Sequence, residues 1–365
     1  MARIGIVGGR GMLGEYVPGI RKAGAEVSCL VCSTLQNAER AAGEWGIPGH
    51  CSFQDLLDKG SQMADGLIIA TPNDLHAQMT ISALEAGFHV LCEKPPALNA
   101  EEAKAMAEAA QAANRHLAFN FKMRGQAGPQ WLKARICEVN QQVKMVDARW
   151  LRRNGIPGQG GWFTNQGHSG GGALMDLGSH VVDLGMWLLG YPKPVSALAG
   201  WDKSKTSDPQ YAGPWPVSAS QPKYSIDVEN ACWGCIGFAN GSIMNFAVSW
   251  ASLLVRQEII QVSFDGDTLG GRVERTFEPA DGRDMYARDL AEVHTQEAGQ
   301  AVNSALRVKA PNPIDGVEKV IGNFVDLVAG RNVEPLTTPG QAVTLMKVID
   351  AVKFSASNRA SVGID

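Results

Sequence analysis

The chain of 365 residues has no apolar run of about 18 residues, so no membrane-spanning helix is expected. It has no run of lysine or arginine. With 33 basic and 37 acidic residues its formal charge is −4, which gives no footprint for nucleic acid or an anionic membrane. The opening Met1-Ala2-Arg3-Ile4-Gly5-Ile6-Val7 lacks the apolar core and cleavage site of a secretory signal and runs straight into a strand pattern. A cytoplasmic enzyme with small-molecule partners is expected. Cysteine is sparse and odd in number, seven in all, which argues for free thiols rather than a disulfide framework. Cys29/Cys32 and Cys232/Cys235 have Cys-x-x-Cys spacing. Both pairs fall in strand-like stretches, where residues i and i+3 point to opposite faces, so neither reads as a metal or redox site. Internal repeats and low-complexity segments are also lacking.

The pattern that is present alternates strand and helix. Residues 2–7 read as a buried strand, followed by Gly9-Arg10-Gly11-Met12-Leu13-Gly14, a helix from Glu15 to Ala23 and a strand from Glu26 to Cys32. Glycines in a Gly-x-Gly-x-x-Gly array at the first strand–turn–helix permit a tight turn, backbone approach to a pyrophosphate and close helix–strand packing, with phosphates at the helix N-terminus. The second strand ends in Cys32-Ser33-Thr34 without the carboxylate that would bond an adenosine ribose. This tilts the choice between NAD and NADP towards NADP, with Ser33 and Thr34 as donors and Arg10 or Arg40 as neutralising charge. A helix over Asn37–Gly46 and a linker lead to a strand over Gly66–Ala70, which delivers Thr71-Pro72-Asn73-Asp74-Leu75-His76 into the next helix. A strand over His89–Cys92 delivers Glu93-Lys94-Pro95, and a strand over His116–Phe121 ends at Asn120 and Arg124. Loops at the carboxyl ends of parallel strands face the ligand crevice. Ala70, Thr71, Pro72, Asn73, His76, Glu93, Lys94 and Asn120 therefore become cofactor candidates alongside Gly9, Gly11, Met12, Leu13, Gly14, Ser33 and Thr34.

Beyond Gly125 the period changes. A helix near 128–139 precedes strands near 143–152, 195–201, 227–239, 242–251 and 257–274, with Asn240-Gly241 as a hairpin turn. Residues 202–225 read as a long loop, 277–312 give little pattern, and helices are expected near 315–330 and 340–357. The expected fold is an α/β Rossmann domain over 1–123 and an α+β domain with a large, mostly antiparallel sheet over 124–365, with the last helix packing back on the first domain.

One helix, Gly170–Gly190, is unlike the rest. Apolar residues surround it, yet Asp176, His180 and Asp183 fall at i, i+4 and i+7 on one stripe. Burying those groups costs about 2–7 kcal/mol each unless they are hydrogen-bonded or face a cleft. A satisfied core pair and a catalytic pair both fit the helix taken by itself.

Gly-x-Gly-x-x-Gly, Thr71-Pro72-Asn73, Glu93-Lys94-Pro95 and Gly171-Gly172-Ala173-Leu174-Met175-Asp176-Leu177-Gly178-Ser179-His180, in that order and spacing, resemble the Gfo/Idh/MocA oxidoreductases, the glucose-fructose oxidoreductase and inositol dehydrogenase family. The resemblance extends over essentially the whole chain. It implies that Lys94, Asp176 and His180 form the catalytic group beside the nicotinamide of NAD or NADP. It also implies a cis peptide at Lys94-Pro95 and a homodimer or homotetramer formed through the large sheet. The expected substrate is a sugar, sugar derivative or inositol, touched by Lys94, Asn120, Arg124, Arg153, Trp162, Asp176 and His180. Arg149 and Arg152 read equally well as solvated strand ends. Many family members carry an Arg after the tryptophan, where this chain has Phe163, which points to a less charged substrate pocket. Two other readings stay open: a glycosidase or lyase that oxidises its substrate transiently, and a cofactor-binding sensor without turnover. Asp183 is expected to be a structural hydrogen-bonding residue.

Overall fold

The computed structural model describes residues 1–215, 217, 223–280, 283–297, 300–307 and 315–365. They form two compact units. The first comprises Met1–Gly125 and the described residues of Pro313–Met346; the second comprises the described residues of Gln126–Asn312 with Lys347–Asp365.

The first unit is built on β1 (Arg3–Gly8), β2 (Glu26–Val31), β3 (Gly49–His50), β4 (Gly66–Ala70), β5 (His89–Cys92) and β6 (Leu117–Phe119). All pair in parallel in the order β3-β2-β1-β4-β5-β6. The order reverses at β1, the switch point where doubly wound sheets bind nucleotides. Ile4, Ile6, Leu30, Ile68 and Leu91 are buried in the core around this sheet, as strands covered on both faces require. The expected boundary needs a correction. Helix Asp315–Val328 belongs to this unit rather than to the second, because its apolar stripe of Val317, Val320, Ile321, Phe324 and Val325 joins the core cluster of Ile4, Val17 and Ile20. The last helix, Pro339–Asn358, gives its residues up to Met346 to the first unit and the remainder to the second.

The second unit is built on β7 (Val143–Arg152), β8 (Pro194–Asp202), β9 (Ala231–Phe238), β10 (Ile243–Ser249), β11 (Glu258–Gly266), β12 (Leu269–Ala280), β13 (Arg283–Glu297), β14 (Gln300–Arg307) and β15 (Val362–Gly363). Their order is β14-β13-β12-β11-β7-β10-β9-β8-β15. Every pairing is antiparallel except β10 with β7. The single strand expected over 257–274 is in fact two, turned at Asp267 and Thr268. A remote residue closes that turn: Gln141 Oε1 accepts from Thr268 N at 2.8 Å and Leu269 N at 3.0 Å, and its Nε2 donates to Leu269 O at 2.7 Å. Much of the weakly patterned stretch 277–312 extends β12 and forms β13 and β14; its residues 281–282, 298–299 and 308–312 lie outside the described residues. So do 216 and 218–222 of the expected 202–225 loop. No helix among the described residues is long and apolar enough to cross a membrane.

The helix expected over Gly170–Gly190 begins as a wide turn. Leu174–Gly178 is a π-helical turn, and Ser179–Leu189 continues as an α-helix ending at Gly190 with φ +84°. Such turns insert one residue and recur at functional sites.

Candidate active site

In the first unit the chain leaves β1 through Gly8 and Gly9, both left-handed at φ +81° and +62°. A Cβ at Gly9 would lie 2.8 Å from Ala70 Cβ and 2.9 Å from the Tyr16 ring, so only glycine fits without displacement. Gly9 N donates to Ala70 O and Met12 N to Gly9 O. The chain then enters a 3₁₀ turn, Arg10–Met12, and the helix Leu13–Lys22, where no side-chain cap is seen among the described residues. Nothing described lies within 4 Å of a Cβ at Gly11. Uncapped N–H groups beside an open glycine suit a pyrophosphate. Gly14 differs from its expected role in close helix–strand packing: a Cβ there would meet only Trp45, at an ordinary 3.7 Å. The tight approach is made at Gly9 instead. Ser33 and Thr34 are exposed at the end of β2, and Thr34 caps the helix Leu35–Trp45 by accepting from Asn37 N. The Arg10 side chain lies outside the described residues, and Arg40 donates to Asn37 Oδ1 at 3.2 Å.

The loops after β4, β5 and β6 are tied to one another. His76, 1% exposed, sets Nδ1 2.8 Å from Pro95 O and Nε2 2.9 Å from Thr71 O. It thereby clamps the Thr71-Pro72-Asn73 loop to the Glu93-Lys94-Pro95 loop, where the Lys94-Pro95 bond is cis. Burial pushes the His76 pKa down, against the two carbonyl contacts and Glu93. Glu93 Oε1 accepts from Tyr16 Oη and from Asn120 Nδ2, both at 2.5 Å, and its Oε2 accepts from Lys94 N at 3.1 Å. Burial, with the Glu93 charge beside it, holds the Tyr16 hydroxyl well above its usual range, so it remains a donor. Among the described residues, buried Thr71 Oγ1 and Asn120 Oδ1 have no hydrogen-bond partner. Orphaned oxygens cost about 1–3 kcal/mol each, and their position at the carboxyl ends of β4 and β6 fits the polar groups of a nicotinamide nucleotide.

Arg124 does not take the substrate role expected of it. It is fully buried, and its Nη1 donates to Leu336 O at 2.8 Å and Gln341 Oε1 at 2.7 Å, a guanidinium solvated by backbone and amide inside the fold.

In the second unit the wide turn presents Asp176, and the helix presents His180. The turn is held by Glu229, 2% exposed, whose carboxylate accepts from Gly172 N at 2.9 and 3.0 Å and from Leu174 N at 2.9 Å. Burial pushes the Glu229 pKa up, opposed by these N–H groups and by Lys353. Trp250, fully buried, donates Nε1 to Asp176 Oδ2 at 2.9 Å. Arg152 Nη1 lies 3.6 Å from the same oxygen. His180, 3% exposed, rests against the Trp150 ring at 5.4 Å between centroids. Asp183 is buried and accepts from Tyr191 Oη at 2.6 Å, the structural role expected of it. Arg153 directs Nη1 to Leu253 O at 3.4 Å. Of the neighbouring arginines, Arg152 is the one that reaches Asp176, and Arg149 pairs with Asp147. Trp162 stacks on Phe163 at 3.9 Å, which covers one of the two faces it would offer a sugar. Tyr16, Trp150, Glu229, Trp250 and Glu258 were not singled out as site residues from the sequence, and Arg152 was left open between a substrate contact and a solvated strand end. Their partners are remote, as with Glu229 and Gly172, 57 positions apart, and no local spacing announces them.

A parallel sheet with order reversal at β1, an open glycine turn and polar loops at its carboxyl edge define a dinucleotide-binding unit. Residues 2–121 match the model of an oxidoreductase family with an NAD-binding Rossmann fold, and residues 142–268 match the GFO/IDH/MocA C-terminal domain. D-glucoside 3-dehydrogenase of Escherichia coli K12 is 37% identical over 209 residues, 56% of this chain and 58% of that protein. The putative UDP-kanosamine synthase oxidoreductase subunit of Amycolatopsis mediterranei is 30% identical over 270 residues, 72% of this chain and 73% of that protein. The solved structure of levoglucosan dehydrogenase in complex with NADH and levoglucosan superposes with a TM-score of 0.78 at 21% identity, covering 100% of this chain and 99% of that one. The chain belongs to the Gfo/Idh/MocA family of oxidoreductases.

Proposed function

We propose that the chain is an NAD(P)-dependent dehydrogenase or reductase acting on a secondary alcohol or ketone of a sugar, sugar derivative or inositol. The observation that carries this reading is that one turn and the helix it leads into present both His180, braced on Trp150, and an Asp176 carboxylate held by Trp250 and Arg152, in a member of this family. Bound NAD or NADP supplies the carbon that accepts or returns a hydride. His180 takes the hydroxyl proton in the oxidative direction; an imidazole titrates near neutrality, where such a base works best. Lys94 donates to the same oxygen and offsets its developing negative charge, and Asp176 orients the neighbouring hydroxyl or Lys94. The backbone of Gly9, Gly11, Met12, Leu13 and Gly14 would hold the phosphates. Ala70, Thr71, Pro72, Asn73, His76, Glu93, Lys94 and Asn120 would hold the nicotinamide end. Exposed Ser33 and Thr34, with no carboxylate beside them, favour NADP.

Two further expectations remain part of the reading. Arg153 and Trp162 contribute to substrate contact, Trp162 through its uncovered face. The chain also assembles with copies of itself, as a dimer or tetramer in the cytoplasm. The alternation along the paired strands puts Met145, Ile243, Trp233 and Leu198 on one face of the large sheet, and all four are exposed, which supports that assembly.

The test is a panel of methyl glucosides, levoglucosan, free aldoses and inositols, each with NAD and with NADP, followed at 340 nm. Net reduction of the nicotinamide with at least one neutral sugar or polyol is expected. Turnover of a sugar with no change at 340 nm would replace this reading with transient oxidation.

A further inference from the structure

Glu258 opens β11 directly opposite Arg152, the last residue of β7. A single oxygen of its carboxylate, Oε1, accepts from Trp150 Nε1 at 2.5 Å and from Arg152 Nε at 2.9 Å. Each of those two side chains touches one member of the proposed catalytic pair. The Trp150 ring is the surface against which His180 rests. The Arg152 guanidinium approaches Asp176 through Nη1, with its carbon 5.1 Å from the centroids of both the Trp150 and the Trp215 rings. The Arg152 and Glu258 side chains are only 15% and 21% exposed, so the contacts are little screened by water.

We propose that Glu258 is a positioning residue: through Trp150 and Arg152 it fixes the orientation of His180 and the charge environment of Asp176. This rests on the reading of His180 and Asp176 as catalytic. A carboxylate suits the position because one oxygen can accept from two donors while its charge balances the guanidinium. An aliphatic side chain would leave the Trp150 N–H and one edge of Arg152 without an acceptor in a half-buried place. The arginine would then re-aim towards Asp176, and the indole would lose the bond that fixes its plane.

The charges around His180 give a signature that loss of packing would not produce. Among the described residues of the second unit these include Asp176 and Asp183 on its own segment, Arg152 and Glu258 from β7 and β11, Glu229 with Lys353 at the turn that leads into it, and Lys133 from the helix Ala127–Val139, which donates to Trp187 O at the far end of the His180 helix. Removing the Glu258 charge leaves Arg152 less compensated and disfavours the imidazolium.

The experiment compares wild type, Glu258→Gln, Glu258→Leu and His180→Asn as full chains, using the neutral sugar and cofactor that give the highest rate in the panel above. Glu258→Leu should lower kcat by about 10–100-fold, the scale of a misaimed catalytic group, with KM for the cofactor changed by less than about twofold. Glu258→Gln keeps an acceptor oxygen and nearly the same shape. It should fall by less and should move the acidic limb of the kcat profile to lower pH. A substrate-free readout is the pH titration of tryptophan emission, taken as the difference from His180→Asn, since an imidazolium quenches an indole it touches; its midpoint should move to lower pH with Glu258→Gln as the kcat limb does. Wild-type kcat, pH profile and emission midpoint in Glu258→Gln, beside an inactive His180→Asn, would overturn the proposal and leave the catalytic reading standing. Should Glu258→Leu fail to fold, Glu258→Gln decides alone. Full activity in His180→Asn would overturn both.

Discussion

Replacing Glu229 with alanine removes the acceptor that, among the described residues, receives two buried N–H groups, those of Gly172 and Leu174. An orphaned buried donor costs about 1–3 kcal/mol, so two cost about 2–6 kcal/mol. Part is returned because the wild type buries a carboxylate, whose pKa burial pushes up. The net loss should be about 2–4 kcal/mol, which in a unit of this size lowers Tm by roughly 5–12 °C, measured by calorimetry at pH 7. Glu229→Gln should lose less, because the amide oxygen can still accept. The pH dependence has a definite sign. A carboxyl group whose folded pKa lies above the unfolded value near 4.5 contributes its stability below that value and loses it as pH rises through the folded pKa. Glu229→Gln should therefore compare best with wild type on the alkaline side of that window. A Tm for Glu229→Ala within about 2 °C of wild type would refute this account of how the Asp176 turn is held.

Gly9→Ala places a Cβ at a left-handed position 2.8 Å from Ala70 Cβ. Destabilisation of about 1–3 kcal/mol and loss of NAD(P)H binding by fluorescence titration are expected. Trp250→Phe keeps an aromatic side chain, though a smaller one, and removes the donor to Asp176 Oδ2; a bond to a charged group is worth about 1.5–3 kcal/mol, so kcat/KM should fall by roughly 10–100-fold with the fold intact by circular dichroism. His89 stacks on His116, accepts from His116 N through Nδ1, and has its pKa lowered to about 4, by burial first and then by His116 and Arg115. Its neutral form belongs to the folded state, so stability should be complete above the unfolded value near 6.5 and decline as pH falls from there towards 4. His89→Phe should flatten that part of the Tm profile.

What the sequence revealed and what it concealed separate along a physical line. The glycine turn, the Glu93-Lys94-Pro95 loop and the Asp176 and His180 helix were legible because each is a local pattern on one element. The groups that hold them are not local. Glu229 reaches back to Gly172, Trp250 to Asp176, and Gln141 across to the Asp267-Thr268 turn, and pairing across a large sheet leaves no spacing to read. Arg124 was expected at the substrate because a charged residue at the carboxyl end of a parallel strand faces the ligand crevice, and only the remote carbonyl of Leu336 shows where its guanidinium goes. Helix Asp315–Val328 was recognised as a helix but assigned to the wrong unit, since an amphipathic stripe announces that it will be buried and not which core buries it.

The central claim is that Lys94 and His180 carry the proton chemistry of a net hydride transfer. It is tested most directly by the 340 nm rate of Lys94→Ala and His180→Ala against wild type, with the neutral sugar that gives the highest rate in the panel. General acid–base groups contribute about 10²–10⁴-fold, so each variant should lose at least about 100-fold in kcat while still binding NAD(P)H. A wild-type rate in either variant would contradict the account.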